Sequence, residues 1–478
     1  MPKKHISFIK SFVIIFILAG IVSYCMMVLQ LPTIVTLFLC IVYISTISLF
    51  LGYTLEDLND YILDGVRKSA FVVVMLLAIG CLIGGWIASG IIPTIIYYGL
   101  DIIDPNYFLV VGLISCSIVS YFTGSAYACI GTIGVAMIGI AQGMGISLPL
   151  TAGMILSGAL FGDKMSPFSD TTNMAAAATN TPLFVHIKSM IYTTLPAWII
   201  ALFIYAYLSR GFHLSGIHID QIESLKISIQ EHFFISPFML LVPLITIVMA
   251  VKKIPPVIAI STGAIISIIV ALIFQHQFDV PTIFMSLVQG LDLDFGSELT
   301  TKLFAGRGGM EHMMHTISIV IIALIFGEII AKTGILGALI GGLEKLVFNT
   351  VSLVFLTITS CLVTTMISNS QYLSILMPGE AFLPLYRKKN VSSRVLSRSL
   401  EDGGTMFGML VPWTGDAAFA ALTLGVATID YLPFAFFALL SPVISIIAAS
   451  INYGIWTADQ DHWVKEDEAT EILETVSN

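Results

Sequence analysis

Apolar residues occur in long runs that short polar stretches separate, and most of these runs are as long as a transmembrane helix. A helix that spans a bilayer needs about 20 predominantly apolar residues. The pattern therefore predicts an all-α polytopic membrane protein. The predicted spans lie near 12–31, 34–51, 69–92, 149–185, 188–208, 234–251, 254–274, 314–340, 399–428 and 431–452.

Two further apolar stretches, 107–146 and 347–386, are each interrupted near the middle by small polar residues. Each stretch could form two spans, or one helical hairpin that enters and leaves on the same side. Proline interrupts spans 149–185 and 399–428, so both are predicted to be broken helices. The polar hairpin tips are Thr123, Gly124 and Ser125 in the first stretch, and Ser368, Asn369 and Ser370 in the second.

Composition supports a membrane protein and excludes several other classes. Hydrophobic residues make up 57% of the 478 residues and charged residues only 11%, whereas soluble domains have about 25% charged residues. No basic patch suggests a nucleic-acid partner, so the lipid bilayer is the expected environment. The six cysteines lie in apolar runs without metal-ligand spacing, and no nucleophile–base pair is evident. We expect no enzyme activity and no cofactor, with any ions being cargo.

The distribution of Lys and Arg among the loops predicts the orientation, because cytoplasmic loops are enriched in these residues. Basic residues precede the first span at Lys3, Lys4 and Lys10, and that run is read as a retained helix, not a cleaved signal peptide. A second basic cluster lies at 387–398. Both termini are expected in the cytoplasm of a cell with a plasma membrane of the bacterial type. Loop charge does not separate hairpins from full crossings.

The chain also repeats itself at an offset of 245 residues. This offset superimposes the two polar tips, and it places Tyr127 on Tyr372 and Pro167 on Pro412. With the first hairpin opening outward and the second inward, the halves have inverted topology, each with about five spans and one hairpin. Inverted repeats with helices broken near the midplane are typical of secondary transporters. The predicted boundaries are 1–232 and 233–455 for the repeats and 456–478 for an acidic cytoplasmic tail.

The most polar membrane segment is GDKMSPFSDTTNMA at 162–175. A charge at the bilayer centre costs roughly 2.5–3.5 kcal/mol, and irregular backbone is tolerated there only when it is buried or lines a cavity. Pairing of Asp163 with Lys164 is the structural alternative, and hydroxyls can bond back to helix carbonyls. Carboxylate, hydroxyl, amide and carbonyl oxygens together suit a small hard cation such as Na⁺. The ion-binding or proton-coupling candidates here are Asp163, Ser166, Ser169, Asp170, Thr171, Thr172 and Asn173.

Three carboxylates in the second half are further candidates. Glu401 and Asp402 begin the second broken span, where an ion pair with nearby basic residues is the alternative. Asp416 follows Pro412 and, at the 245 offset, falls next to the mate of Asp170. Glu328 could be functional, or it could simply form a satisfied contact between helices. His312 and His315 flank a span, and histidines at such surface positions are more often inert. The candidate Na⁺ ligands are Asp170, Asn173, Thr123 and Asn369.

Several motifs resemble those of the NhaC group of Na⁺/H⁺ antiporters over nearly the whole chain. They are SGALFGDKMSPFSDTTNMA, TGSAYACIGTIG, QYLSILMPGEAF and SRSLEDGG followed by VPW. The resemblance implies Na⁺/H⁺ exchange by alternating access, inverted repeats and a homodimer. The alternatives are Na⁺- and H⁺-coupled exchange of organic acids, as in malate/lactate exchangers, or of amino acids, and a passive channel. The second half departs from the group: Ser370 precedes QYLSI where an acid or amide is common, and Thr414 then Asp416 follow Pro412–Trp413.

Overall fold

The structure, a computed structural model, describes residues 6–461 except 103, 211–218, 253, 294, 296–299, 302–303 and 306–307. All regular elements among these residues are helical, which confirms the all-α fold. Eight described helices are long and apolar enough to span a membrane, or up to ten if each of two bent pairs is one span. The α-helices are Phe8–Ser23, Thr33–Phe50, Leu55–Ala88, Ile91–Ile102, Phe108–Thr123, Ala126–Cys129, Val135–Gly143, Leu148–Met165, Asp170–Ala178, Leu183–Ser209, Ile219–His232, Leu241–Val251, Pro256–Phe274, Val280–Gln289, Met310–Lys332, Ile335–Gly342, Thr350–Ser368, Gln371–Lys388, Ser393–Leu400, Met406–Gly408, Gly415–Leu424, Thr428–Tyr431 and Phe436–Ser450.

Capping residues change the bounds of two predicted spans in the structure. Helix Leu55–Ala88 begins well before position 69, because a capping box between Thr54 and Asp57 starts it in the polar region. The predicted span 314–340 is divided at Gly334, which has a φ of +72° and so ends one helix and starts another. Hydropathy alone predicted neither boundary, since both depend on local capping.

The two interrupted apolar stretches each fold as two helical arms that meet at the predicted polar tip. We call Phe108–Gly143 the first hairpin and Thr350–Lys388 the second hairpin. Both arms of the first hairpin are long and apolar enough to cross a membrane. Whether the hairpins are re-entrant or cross fully therefore stays a prediction.

Both proline-interrupted spans are broken, as predicted. The first broken helix comprises Leu148–Met165 and Asp170–Ala178, with Pro167 in the gap. The second broken helix runs from Ser393 to Gly408, through a π-helical turn at Glu401–Thr405, and resumes at Gly415–Leu424. Each gap leaves backbone groups without helical partners, and these groups are available to side chains and ions.

Small residues let each hairpin pack closely on the broken helix of its own half. A Cβ added at Gly158 would lie 2.6 Å from Cβ of Cys116, and one added at Gly403 would lie 2.8 Å from Cβ of Cys361. Close packing through glycine is a common way to join membrane helices. These two contacts are related by the 245 offset.

Other local features also agree with that offset. The first arms of the two hairpins end at Gly124 and Asn369, both in the left-handed conformation. The segments after the two gaps follow Ser169 and Thr414, which both have an extended backbone conformation. These correspondences support the internal repeat, whereas the inverted orientation of the halves stays a prediction.

The start of the predicted acidic tail packs against the second broken helix. Asp461 is buried and accepts a hydrogen bond of 2.8 Å from the backbone N–H of Ser393, and it also bonds the Ser392 hydroxyl. The rest of the predicted tail, 462–478, lies outside the described residues. Lys3, Lys4, Lys302 and Arg307, which entered the orientation argument, also lie outside them.

Candidate functional site

A cavity of about 400 Å³ lies where the first hairpin tip meets the gap of the first broken helix. The start of the second hairpin's second arm also lines the cavity, as do apolar residues of helices Leu55–Ala88 and Pro256–Phe274 and of the loop before Pro256. The polar lining residues are Thr123, Ser125, Tyr127, Thr132, Asp163, Ser169, Asp170, Thr171, Thr246, Gln371 and Tyr372.

The first hairpin tip owes its shape to Gly124. Its φ is +65°, and an added Cβ would lie 2.7 Å from the carbonyl carbon of Phe168. A side chain at this position would therefore be strained and would push the tip away from the gap. The Ser125 hydroxyl caps the second arm by accepting from the N–H of Ala128. Gly124 thus allows the tip to lie against the broken helix, and Ser125 begins the arm that follows.

Polar side chains in the first gap divide into two groups. The Asn173 amide donates to the carbonyls of Pro167 at 3.0 Å and Ser169 at 2.7 Å, and the Thr172 hydroxyl donates to the carbonyl of Lys164 at 2.9 Å. These bonds satisfy carbonyls that the helix break would otherwise free. The predicted residues that line the cavity are Asp163, Ser169, Asp170 and Thr171, while Ser166, Thr172 and Asn173 do not line it.

Asp163 and Asp170 bring two carboxyl groups to the same cavity. Asp163 is buried with 8% of its surface exposed, and it lies beside the hydroxyl of Ser169. Asp170 is exposed and starts the helical segment after the gap. Two carboxylates close together ionise together only at a cost, unless a cation lies between them. The arrangement therefore suits alternating occupation by a proton and a cation.

A tyrosine from each hairpin reaches a carboxylate on the broken helix of the other half. The Tyr127 hydroxyl donates to Asp416, and the Tyr372 hydroxyl lies 3.5 Å from a carboxylate oxygen of Asp170. Asp416 itself does not line the cavity, but Tyr127 connects it to the lining. In the sequence, the only indication of these contacts was that the 245 offset matches Tyr127 with Tyr372.

The side chains of the second hairpin tip bind backbone groups, and the tip does not line the cavity. Asn369 is buried, and its side-chain oxygen accepts a 2.9 Å hydrogen bond from the N–H of Gly415. The Ser370 hydroxyl caps its own arm at Leu373, and Ser368 is buried with its hydroxyl bonded to the carbonyl of Thr364. Ion binding by Asn369 stays a prediction, and in this conformation its oxygen positions the second broken helix.

Lys164 does not pair with Asp163, which was the structural alternative for the first gap. Its ammonium bonds Asp402 of the second broken helix, and both side chains are fully buried. The hydroxyl of Ser441 lies between them, donating to Asp402 at 2.7 Å and accepting from Lys164 at 2.9 Å. The Thr193 hydroxyl also donates to Asp402 at 3.0 Å. The pair joins the two halves behind the cavity.

Glu401 and Asp402 both lie away from the cavity lining. Glu401 is fully buried, and one of its oxygens accepts a 2.6 Å hydrogen bond from Thr405.

Outside the site, Glu328 is buried and bonds the ammonium of Lys68 at 2.5 Å, so it has a satisfied contact between helices. His312 lines a smaller cavity of about 230 Å³, and His315 is exposed.

Within the described part of the chain, no three His, Cys, Asp or Glu side chains converge as a metal-binding group. A cation in the main cavity would therefore complete its coordination with hydroxyl and carbonyl oxygens beside the carboxylates. That donor set is hard and oxygen-only, which suits an alkali or alkaline-earth ion better than a transition metal.

Comparison with known proteins gives the family of this chain. The sequence profile of the Na⁺/H⁺ antiporter family matches residues 4–171 and 158–452. The chain belongs to the Na⁺/H⁺ antiporter family.

Three bacterial antiporters are similar to this chain over most of their length. The Na⁺/H⁺ antiporter NhaC of Bacillus subtilis is 38% identical over 92% of this chain and 96% of that protein. The NhaC protein of Alkalihalophilus pseudofirmus is 36% identical over 92% and 94%. The malate-2H⁺/Na⁺-lactate antiporter of Bacillus subtilis is 34% identical over 90% and 91%. The resemblance to the NhaC group is therefore confirmed.

Proposed function

We propose that this protein is a secondary active transporter that exchanges Na⁺ for H⁺ by alternating access. The observation that carries the proposal is the cavity that Asp163 and Asp170 line together with the hydroxyls of the first hairpin tip and of Ser169 and Thr171. The family membership and the Na⁺/H⁺ antiport for which the NhaC relatives are named support the same exchange.

Exchange follows from competition at the two carboxyl groups. In this proposal, either a proton or Na⁺ compensates the negative charge that the two carboxyl groups bring to the cavity, because uncompensated carboxylate charges near each other repel. When Na⁺ enters, its single positive charge replaces that of the proton, and the proton leaves. If the cavity opens to one side of the membrane at a time, each Na⁺ that binds on one side drives proton release on that side.

The lining favours a cation over an organic acid. Among the described lining residues there is no Lys, Arg or His, and the nearby ammonium of Lys164 is already bonded to Asp402. A carboxylate solute such as malate or lactate would meet Asp163 and Asp170 without a compensating positive charge. Organic-acid exchange therefore gains no specific support from the cavity.

The membrane arrangement belongs to the same proposal. We propose two inverted repeats, 1–232 and 233–455, with both termini in the cytoplasm and the broken helices at the midplane of a cell membrane. The agreement of tips and glycine contacts at the 245 offset supports the repeat. The homodimer stays a prediction.

The substitution Asp170→Asn tests the function. It keeps size and some hydrogen bonding but removes the titratable charge, so Na⁺-driven proton movement should vanish while membrane insertion persists. The assay uses proteoliposomes with an imposed Na⁺ gradient and an internal pH dye. Asp430→Asn, at an exposed position outside the cavity, is the matched control and should keep exchange.

Three results would contradict parts of the proposal. Near-normal exchange by the Asp170→Asn protein would reduce this carboxylate to a structural role. Proton movement by the unaltered protein that requires added malate or lactate would replace Na⁺/H⁺ exchange with organic-acid exchange. A current without coupled proton movement would indicate a channel.

A further inference from the structure

Gln371 brings an amide group from the second hairpin to the main cavity. It is the first residue of helix Gln371–Lys388, and it lines the cavity. The next residue, Tyr372, also lines the cavity, and its hydroxyl lies 3.5 Å from a carboxylate oxygen of Asp170. The start of this helix therefore faces the same space as the carboxyl groups of the first broken helix.

The second broken helix holds one end of this amide. The amide nitrogen of Gln371 donates a 3.0 Å hydrogen bond to the carbonyl of Thr405. That carbonyl lies in the last turn before the gap, because the helical segment ends at Gly408, and the last four carbonyls of a helix have no N–H partner within it. The bond through the nitrogen fixes the orientation of the amide. The amide oxygen, which can only accept, is left as the group available to the cavity.

A side chain with a purely structural role could also bond a carbonyl near a helix break. Asn173 does so in the first gap, where its amide nitrogen bonds the carbonyls of Pro167 and Ser169, but Asn173 does not line the cavity. The amide of the second hairpin tip, Asn369, uses its oxygen to accept from a backbone N–H. Of these three amides, Gln371 is the one placed to offer an oxygen to the cavity.

The internal repeat shows that this amide belongs to one half only. The 245 offset matches Tyr372 with Tyr127, but it matches Gln371 with Ala126, which has no polar side-chain atom. The first half therefore supplies the carboxyl groups of the cavity, and the second half supplies an amide. A cation bound between them would contact both halves of the protein.

We infer that the side-chain oxygen of Gln371 is a Na⁺ ligand and that it joins the cation site to the second broken helix. This inference rests on the proposed Na⁺/H⁺ exchange and adds a residue to the same site. An amide oxygen is a hard donor that completes the coordination without adding charge. A cation at this oxygen polarises the amide, which strengthens the hydrogen bond from its nitrogen to Thr405. Na⁺ binding is thereby transmitted to the backbone just before the second gap.

Two substitutions test the ligand role in the proteoliposome assay. Gln371→Met keeps the length of the side chain but removes both polar groups, so the Na⁺ concentration for half-maximal exchange should rise at least about fivefold, with the maximal rate within about twofold. Gln371→Asn keeps the amide but withdraws its oxygen by one methylene group. Because Li⁺ is smaller than Na⁺, the ratio of the half-maximal Li⁺ and Na⁺ concentrations should then change at least about threefold.

A second measurement reports Na⁺ binding without transport. The unfolding temperature of the purified protein in detergent should rise when NaCl replaces choline chloride at constant ionic strength, because a ligand stabilises the state that binds it. Gln371→Met should raise the Na⁺ concentration that gives half of this rise at least about fivefold. A residue that only holds Thr405 would instead lower the unfolding temperature without Na⁺ and leave that Na⁺ concentration unchanged.

Ser374→Ala is the matched control. Ser374 lies one turn further along the same helix, is buried, and donates a 2.7 Å hydrogen bond to the backbone carbonyl of Gln371, but it does not line the cavity. Removing its hydroxyl should therefore leave the Na⁺ concentrations in both measurements within about twofold of the unaltered protein.

The outcomes distinguish this inference from the function on which it rests. If the unaltered protein shows neither exchange nor stabilisation by Na⁺, the proposed function fails. If Na⁺ acts on the unaltered protein but Gln371→Met keeps both Na⁺ concentrations within about twofold, only the ligand role of Gln371 fails. Equal changes for Li⁺ and Na⁺ in Gln371→Asn would also overturn it. Should Gln371→Met not fold, Gln371→Asn decides by the same two measurements.

Discussion

Replacing Lys164 with methionine tests whether the buried ion pair with Asp402 holds the two halves of the protein together. Methionine keeps the length and much of the apolar stem of lysine but removes the ammonium. The substitution leaves the Asp402 carboxylate buried, with hydroxyl partners at 2.7 Å from Ser441 and 3.0 Å from Thr193. Asp402→Leu makes the opposite change and leaves the Lys164 ammonium with the Ser441 hydroxyl at 2.9 Å.

The expected magnitudes follow from these partners. Removing one member of a buried ion pair costs about 3–5 kcal/mol of unfolding free energy. In the Lys164→Met protein two hydroxyls still bond Asp402, so the loss of unfolding free energy should lie near the lower limit, about 3 kcal/mol. This loss corresponds to a decrease of more than about a hundredfold in the folding equilibrium constant. Asp402→Leu should lie near the upper limit, about 5 kcal/mol. The double variant should cost less than either single one, because replacing a buried pair by apolar residues is often neutral.

The assay is the free energy of unfolding from SDS titration in mixed micelles, measured for each single variant and the pair. Lys332→Met is the matched control. Lys332 forms an ion pair with Asp64 at 2.5 Å and lies 3.7 Å from the buried Glu328, which keeps its 2.5 Å bond to Lys68 in the variant. Because the Lys332 side chain is 40% exposed, the loss should stay below about 1 kcal/mol.

Two results would refute the reasoning. If Lys164→Met costs no more than Lys332→Met, the buried pair contributes little to holding the halves together. If the two single losses add in the double variant, Lys164 and Asp402 stabilise the protein independently of each other.

Two further predictions concern the hairpins. Tyr127→Phe removes the donor to Asp416, and a hydrogen bond to a charged group contributes about 1.5–3 kcal/mol. The Na⁺ concentration for half-maximal exchange should therefore rise roughly tenfold, and exchange should become active only at higher pH. An unchanged pH profile would mean that Tyr127 contributes packing only. Gly327→Ala would place a Cβ 1.8 Å from a backbone oxygen of the second hairpin tip and should cost about 1–3 kcal/mol of unfolding free energy. An added Cβ at Gly341 would have no atom within 4 Å, so Gly341→Ala should instead stabilise the protein by up to about 1 kcal/mol. Equal changes in unfolding free energy for Gly327→Ala and Gly341→Ala would contradict the steric argument.

Local sequence determined the class of protein and the places where its helices break. Runs of apolar residues predict spanning helices because a bilayer offers the backbone no other partners. Pro167 and Pro412 interrupt their spans because proline removes a backbone donor, and Gly124 and Asn369 end the first arms of the hairpins because both residue types tolerate the left-handed conformation. Each of these features depends on residues that are neighbours in the chain.

Only the tertiary structure decided which polar groups meet. Lys164 has a carboxylate as its immediate neighbour at Asp163 but pairs with Asp402, which is 238 positions away, and Tyr127 finds Asp416 at a separation of 289. Asn173 has the same ligand chemistry as the cavity residues, yet its amide is bonded to the carbonyls of Pro167 and Ser169. The sequence contains the donors and acceptors, but their partners depend on how helices from distant parts of the chain pack, and no local pattern records that packing.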